Sequence, residues 1–264
     1  MSIRCVLVGP LAFLFAGAAI GQEPFQYVPG QQCIPLLYAK GQVRTDVAAQ
    51  RSEIIRRIRR YVPIKGRSIK VAYALDDRWG LVGGFDDHSR EVTIASGIYN
   101  SNGSPPVITY RHIRGNWTYG EIGAGRYQMF ARNWIGEVYG LLGYGVTENV
   151  WPIGFRSHNR HYGLSVQANL GRSIGFIELA MGNRLRYLKI REKLSSSTAG
   201  LVDLQRQGSL LAWEPALMVR GGWKHVRLSF QAGYSAYVTG TTDSQTNLNL
   251  GLGLQLFFAT KQRT

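Results

Sequence analysis

Asn247-Leu248-Asn249-Leu250-Gly251-Leu252-Gly253-Leu254-Gln255-Leu256-Phe257-Phe258 decides the fold. Leu248, Leu250, Leu252, Leu254, Leu256 and Phe258 fall on one side of an extended chain. Asn247, Asn249, Gly251, Gly253 and Gln255 fall on the other. A period of two belongs to a β-strand, because a helix would wind these leucines around its whole surface. At twelve residues the stretch is long enough for a tilted strand to cross a bilayer.

The same alternation recurs upstream. Val226, Leu228, Phe230, Ala232 and Tyr234 oppose Arg227, Ser229, Gln231 and Gly233. Trp213, Leu217 and Val219 oppose Glu214, Met218 and Arg220. Ile177, Leu179, Met181, Leu185 and Tyr187 oppose Glu178, Ala180, Arg184 and Arg186, and comparable runs surround Tyr162–Ala168 and Trp134–Val146. Ten strands are predicted, at 41–50, 67–76, 79–87, 112–128, 133–147, 159–170, 173–188, 210–222, 225–238 and 246–258. The first alternates poorly at Val43, Asp46 and Val47, so eight strands is the alternative count. The expected fold is an all-β, antiparallel, up-and-down transmembrane barrel.

Connections between these strands alternate short and long. Short ones fall near 77–78, 129–132, 171–172 and 223–224, and long ones at 51–66, 88–111, 148–158, 189–209 and 239–245. Outer-membrane barrels have short periplasmic turns and long external loops, and ten strands return both termini to the short-turn side. Trp79, Trp134, Trp223 and Phe258 mark the apolar face at the short-turn end. Tyr162, Tyr187 and Trp213 mark it at the other, as two interfacial girdles would. A soluble lipocalin-like barrel would show the same alternation with its apolar face inward. The opposing face here, rich in Gly, Asn and Gln, has too few charges for a solvated exterior.

The N-terminus fits an exported precursor. A basic start, an apolar run from Cys5 to Ile20 and the small residues Ala19 and Gly21 predict a signal peptide over 1–21 with cleavage before Gln22. Residues 22–40 are expected to form a periplasmic segment, 41–258 the barrel and 259–264 a tail. One mature cysteine, Cys33, excludes an internal disulfide. No run of about 18 apolar residues follows the leader, so spanning would have to use a closed barrel. The formal charge of +15 comes without any nucleic-acid-binding motif. It therefore points to anionic lipid headgroups, in the bacterial outer membrane.

Gly120-Glu121-Ile122-Gly123-Ala124-Gly125-Arg126-Tyr127, then Glu137-Val138-Tyr139-Gly140-Leu141-Leu142-Gly143-Tyr144-Gly145, with Tyr27-Val28-Pro29, Ala72-Tyr73-Ala74-Leu75 and Trp79-Gly80-Leu81 upstream, carry a resemblance. They resemble an uncharacterised Bacteroidetes-type family of outer-membrane β-barrel proteins, over about Tyr27 to Phe258. The resemblance implies a fold and a location and brings no activity.

The polar face carries Glu121, Glu137, Glu178 and Glu214 with Arg184, Arg186, Arg220 and Arg227. In a narrow lumen these charges must pair, so a plugging ion-pair network is expected. A carboxylate acid/base pair and a selectivity constriction are the alternatives. His161 and Ser165 share a strand face, but their spacing puts them out of contact for an esterase. His158 and His161 lack the partners of a metal site. No catalytic residue, cofactor or metal is expected.

In the long stretch after the first strand, Ile54, Ile55, Ile58 and Tyr61 share a helical face, with Arg56, Arg57, Arg59 and Arg60 around it. This is a candidate contact for lipopolysaccharide phosphates. Phe257-Phe258 near the C-terminus resembles the signal read by barrel-assembly machinery. The expected role is non-enzymatic: structural, adhesive or ligand contact through external loops. A narrow pore for small solutes is the alternative, and a lipid A-modifying enzyme a third reading.

Overall fold

A computed structural model describes residues 30–55, 62–98, 107–130, 133–150, 155–196, 204–223, 225–239 and 246–259. The expected signal peptide at 1–21, Arg56, Arg57, Arg59, Arg60 and the tail beyond Ala259 lie outside the described residues. Ten strands follow one another: β1 (Gln42–Ile55), β2 (Val62–Ala74), β3 (Trp79–Ile98), β4 (Val107–Phe130), β5 (Trp134–Val150), β6 (Phe155–Ile174), β7 (Ile177–Ser196), β8 (Leu204–Gly222), β9 (Val226–Thr239) and β10 (Thr246–Ala259). Each pairs antiparallel with its neighbours in sequence. β1 closes the ring on β10 from Gln42↔Ala259 to Ile55↔Thr246, leaving no free edge.

The wall is inverted relative to a soluble barrel. Ile122, Leu142, Leu217, Leu228 and Leu252 point outward and are more than 60% exposed, whereas Glu121, Arg184, Arg186 and Glu214 point inward and are buried. An outward band of leucine, valine and isoleucine has no place in water and fits hydrocarbon. Trp79, Trp223 and Phe258 are exposed at the short-turn end, and Tyr162, Tyr187 and Trp213 at the other, so both girdles face outward.

The strands run further than the alternation predicted. β3 and β4 stay in register as far as Ile98↔Val107, and β6 and β7 as far as Phe155↔Ser196. Most of the expected long loops are thus strand, and the intervals between strands at that end shrink to 56–61, 99–106, 151–154, 197–203 and 240–245. Beyond the lipid the outward face meets water and turns polar while the inward face stays buried, as at Ile64 and Ile190, so the sequence there loses its apolar–polar period while the backbone ladder continues. The intervals at the opposite end, 75–78, 131–133, 175–176 and 223–225, run to two to four residues against four to eight, so the asymmetry remains. Gly175, at φ 60°, turns the β6–β7 connection.

The second departure is the N-terminal segment. Of residues 22–40, expected to form a periplasmic segment, 22–29 lie outside the described residues and Gly30 to Leu37 are buried inside the barrel. Only at Tyr38, 44% exposed, does the chain reach the short-turn end and lead into β1.

Candidate functional site: an occupied, charged lumen

Inward-facing charges form two clusters. In the middle of the lumen, Arg184 on β7 reaches Glu214 on β8 (Nε to Oε2, 2.5 Å) and Glu121 on β4 (Nη1 to Oε1, 3.1 Å). Arg186, one inward step further, gives Nη2 to Glu121 Oε2 at 2.5 Å and lies over the Tyr119 ring at 4.7 Å. Lys70 on β2 adds contacts to Asp86 (2.6 Å) and Glu121 (3.7 Å).

The second cluster lies nearer the short turns. Glu178 accepts a two-pronged contact from Arg44 (2.8 and 3.1 Å) and one from Arg220 (3.5 Å), with Arg227 also against it. Arg220 in addition reaches Asp46 at 3.2 Å. Forked guanidinium–carboxylate contacts fix both position and plane. Buried pairs of this kind are weak net contributors to stability but costly to break singly. They hold the lumen to one arrangement.

Glu121, Glu214, Arg184 and Arg186 thus meet in one cluster, and Glu178, Arg220 and Arg227 in another. Glu137 does not meet an arginine. Among the described residues its carboxylate takes no ion pair. It accepts the backbone N–H of Leu37 (2.6 Å), the Asn169 amide (2.9 Å) and the Tyr139 hydroxyl (3.4 Å). The expected arginine pairing of Glu137 is therefore corrected: its partner is the N-terminal segment, which sequence periodicity had not placed in the lumen.

That segment is tied along its length. Gly30 O accepts from Arg184 (3.3 Å), Cys33 O from Gln167 (2.6 Å) and Ile34 O from Arg220 (2.6 Å). Gln31 accepts from Ser68 (3.2 Å), and Gln32 donates to the Glu214 carbonyl. Leu36 sits at φ 53°, a cramped value for leucine. The bend turns the Leu36 and Leu37 N–H groups toward the Glu137 carboxylate. Paired N–H groups of this kind make an anion-binding nest. Glycine supplies the clearance: a Cβ at Gly30 would fall 2.2 Å from Asp86 Oδ2.

Toward the external end an apolar cluster of Ile64, Trp117, Tyr119, Leu188, Ile190, Leu210 and Ala212 fills the lumen. Trp117 and Tyr119 stack at 5.5 Å. A Cβ at Gly143 or Gly163 would strike the Tyr119 hydroxyl at 2.0 Å, which accounts for those two glycines. Sequence reading missed Arg44, Lys70 and Asp86. Their signal was charge in the inward phase of β1, β2 and β3.

His161 Nε2 lies 2.7 Å from Thr147 Oγ1, and Ser165 Oγ accepts from Arg186 at 3.2 Å. His161 and Ser165 therefore face different partners. His158 lies 3.4 Å from Glu148. Among the described residues no group of three or more His, Cys, Asp or Glu is placed to hold a metal.

No family model and no curated protein matches the chain. Solved structures do. The translocator domain of the autotransporter NalP from Neisseria meningitidis is 9% identical with a TM-score of 0.51, over 83% of this chain and 89% of that one. The outer membrane protease OmpT from Escherichia coli is 9% identical with a TM-score of 0.54, over 85% and 99%. Likeness at such identity is likeness of fold. With its outward apolar belt and two girdles, the chain is an outer-membrane β-barrel.

Proposed function

We propose that this barrel is not a conduit and acts through its external face, in a structural, adhesive or ligand-contact role. The observation that carries this reading is the buried segment from Gly30 to Leu37, tied to the wall by Arg184, Gln167, Arg220 and Glu137. A solute would have to displace main-chain hydrogen bonds and separate buried ion pairs to pass. What remains free to meet a partner is the end built by the extended strands. Assembly machinery reading the Phe257-Phe258 end of β10 is part of the same proposal.

Solute uptake into proteoliposomes tests it. Vesicles holding the mature protein should swell in small sugars no faster than empty vesicles. Swelling at a porin's rate would instead make the same charges the lining of a narrow pore.

A further inference from the structure

Above the external girdle the lipid-facing side of β6 and β7 changes character. Outward residues on β6 run Leu164, Tyr162, Arg160, His158, Arg156. Those on β7 run Leu185, Tyr187, Lys189, Arg191, Lys193. The register sets Arg160 directly opposite Arg191 and Tyr162 opposite Lys189. Like charges directly opposed across an antiparallel pair are destabilising. On the described outward face of β5, β6 and β7 above the girdle, Arg156, Arg160, Lys189 and Arg191 stand near one outward carboxylate, Glu148, which contacts His158. Three arginines elsewhere on the wall are differently placed: Arg51 has Glu53 at 3.3 Å, Arg67 has Asp87 at 2.9 Å and Arg114 has Glu91 at 3.3 Å.

Height supplies the second argument. Tyr144 and Tyr162, with ring centroids 5.4 Å apart, mark the interface on this side. Arg160 is one outward step past Tyr162, about 7 Å along the strand, at headgroup level. Arg191 lies over the Tyr162 ring at 5.7 Å, which holds its guanidinium at the level of the girdle on the strand position opposite Arg160.

We propose that the β6–β7 ladder binds the phosphates of a phosphorylated lipid in the external leaflet. Arg160 and Arg191 grip one phosphate through their planar forks, and Lys189 adds a point charge beneath them. The proposal rests on the membrane-spanning orientation and not on the closed lumen, so a barrel that proved leaky would leave it standing.

The test uses the mature barrel in phosphatidylcholine vesicles carrying diphosphoryl lipid A, in vesicles carrying dephosphorylated lipid A, and in vesicles with inorganic phosphate alone. Lipid A retained on repurification is read by mass spectrometry, and the thermal unfolding midpoint is read alongside. Diphosphoryl lipid A should be retained and should raise the midpoint, while the other two additions should do neither. Arg160→Gln with Arg191→Gln should weaken retention by roughly tenfold or more and still fold in phosphatidylcholine. Gln207→Ala, beside Arg191 on β8, should retain lipid A as wild type does. Equal retention of the dephosphorylated lipid, a midpoint that responds to inorganic phosphate alone, or full retention by the double variant would each overturn the proposal.

Discussion

Glu137 Oε1 accepts the backbone N–H of Leu37 at 2.6 Å, joining β5 to a segment 100 residues earlier. Asn169 and Tyr139 complete the carboxylate's surroundings. The contact converts an acidic side chain in the lumen into an anchor for main chain.

Glu137→Ala should therefore loosen the N-terminal segment. An unsatisfied buried N–H costs about 1–3 kcal/mol, measurable by urea titration of the folded barrel in vesicles. Cys33, 3% exposed, reports the same event: an impermeant maleimide should label it slowly in wild type and about 5–30 times faster in the variant. Glu137→Gln keeps an acceptor and should fall between the two. Equal labelling of wild type and Glu137→Ala would remove the anchor role.

Glu121→Ala should be the more damaging change. It leaves Arg184, Arg186 and Lys70 without a shared carboxylate, and an uncompensated buried charge costs about 3–5 kcal/mol. Folding titrations should rank Glu121→Ala below Glu137→Ala. The reverse order would mean that water reaches the central cluster.

These two glutamates show how far the sequence reached. Both are legible as inward-facing, because β4 and β5 alternate cleanly against Ile122 and Val138. Their partners are not, since pairing across a ring depends on stagger that no single strand reveals. β1 was obscure for a local reason: its outward face, with Thr45 and Ala49 beside Val47, is small and weakly apolar. The inserted segment has no period at all. Its one signal was Cys33, Ile34, Leu36 and Leu37, an apolar run too rich for an exposed periplasmic strand. The glycine-aromatic motifs around Gly143 and Tyr139 reflect clearance for Tyr119 and for neighbouring main chain, a need any narrow barrel shares.

Leu252→Arg tests the outward assignment. Leu252 is 63% exposed in the middle of β10, and arginine near mid-bilayer costs about 2–4 kcal/mol. Its neighbour faces the lumen, where a Cβ at Gly251 would fall 1.2 Å from the Gln31 amide nitrogen. Gly251→Ser should cost less, because Gln31 can swing aside, but should speed Cys33 labelling. Equal folding costs at 251 and 252 would contradict the placement of the two faces.

Asp76 gives a pH dependence at the short-turn end. Its carboxylate accepts the N–H groups of Arg78 and Trp79, both at 2.7 Å. These bonds, Arg78 first, lower its pKa from the ordinary 3.8. A carboxyl with a depressed folded pKa contributes stability that is complete above its unfolded value and lost as pH falls through the folded one. The β2–β3 turn should therefore weaken below about pH 3.8. Asp76→Asn keeps an acceptor oxygen and should remove this part of the dependence. Hydrogen exchange at Arg78 and Trp79 measures it, and identical acid profiles in the two proteins would count against it.

The closed lumen is the central claim, and single-channel recording in a planar bilayer tests it most directly. Inserted wild-type barrels should give no steady, voltage-independent current steps in molar salt. A stable ohmic conductance from wild-type protein would contradict it, since buried residues 30–37 and the Glu121 and Glu178 clusters could not then fill the lumen.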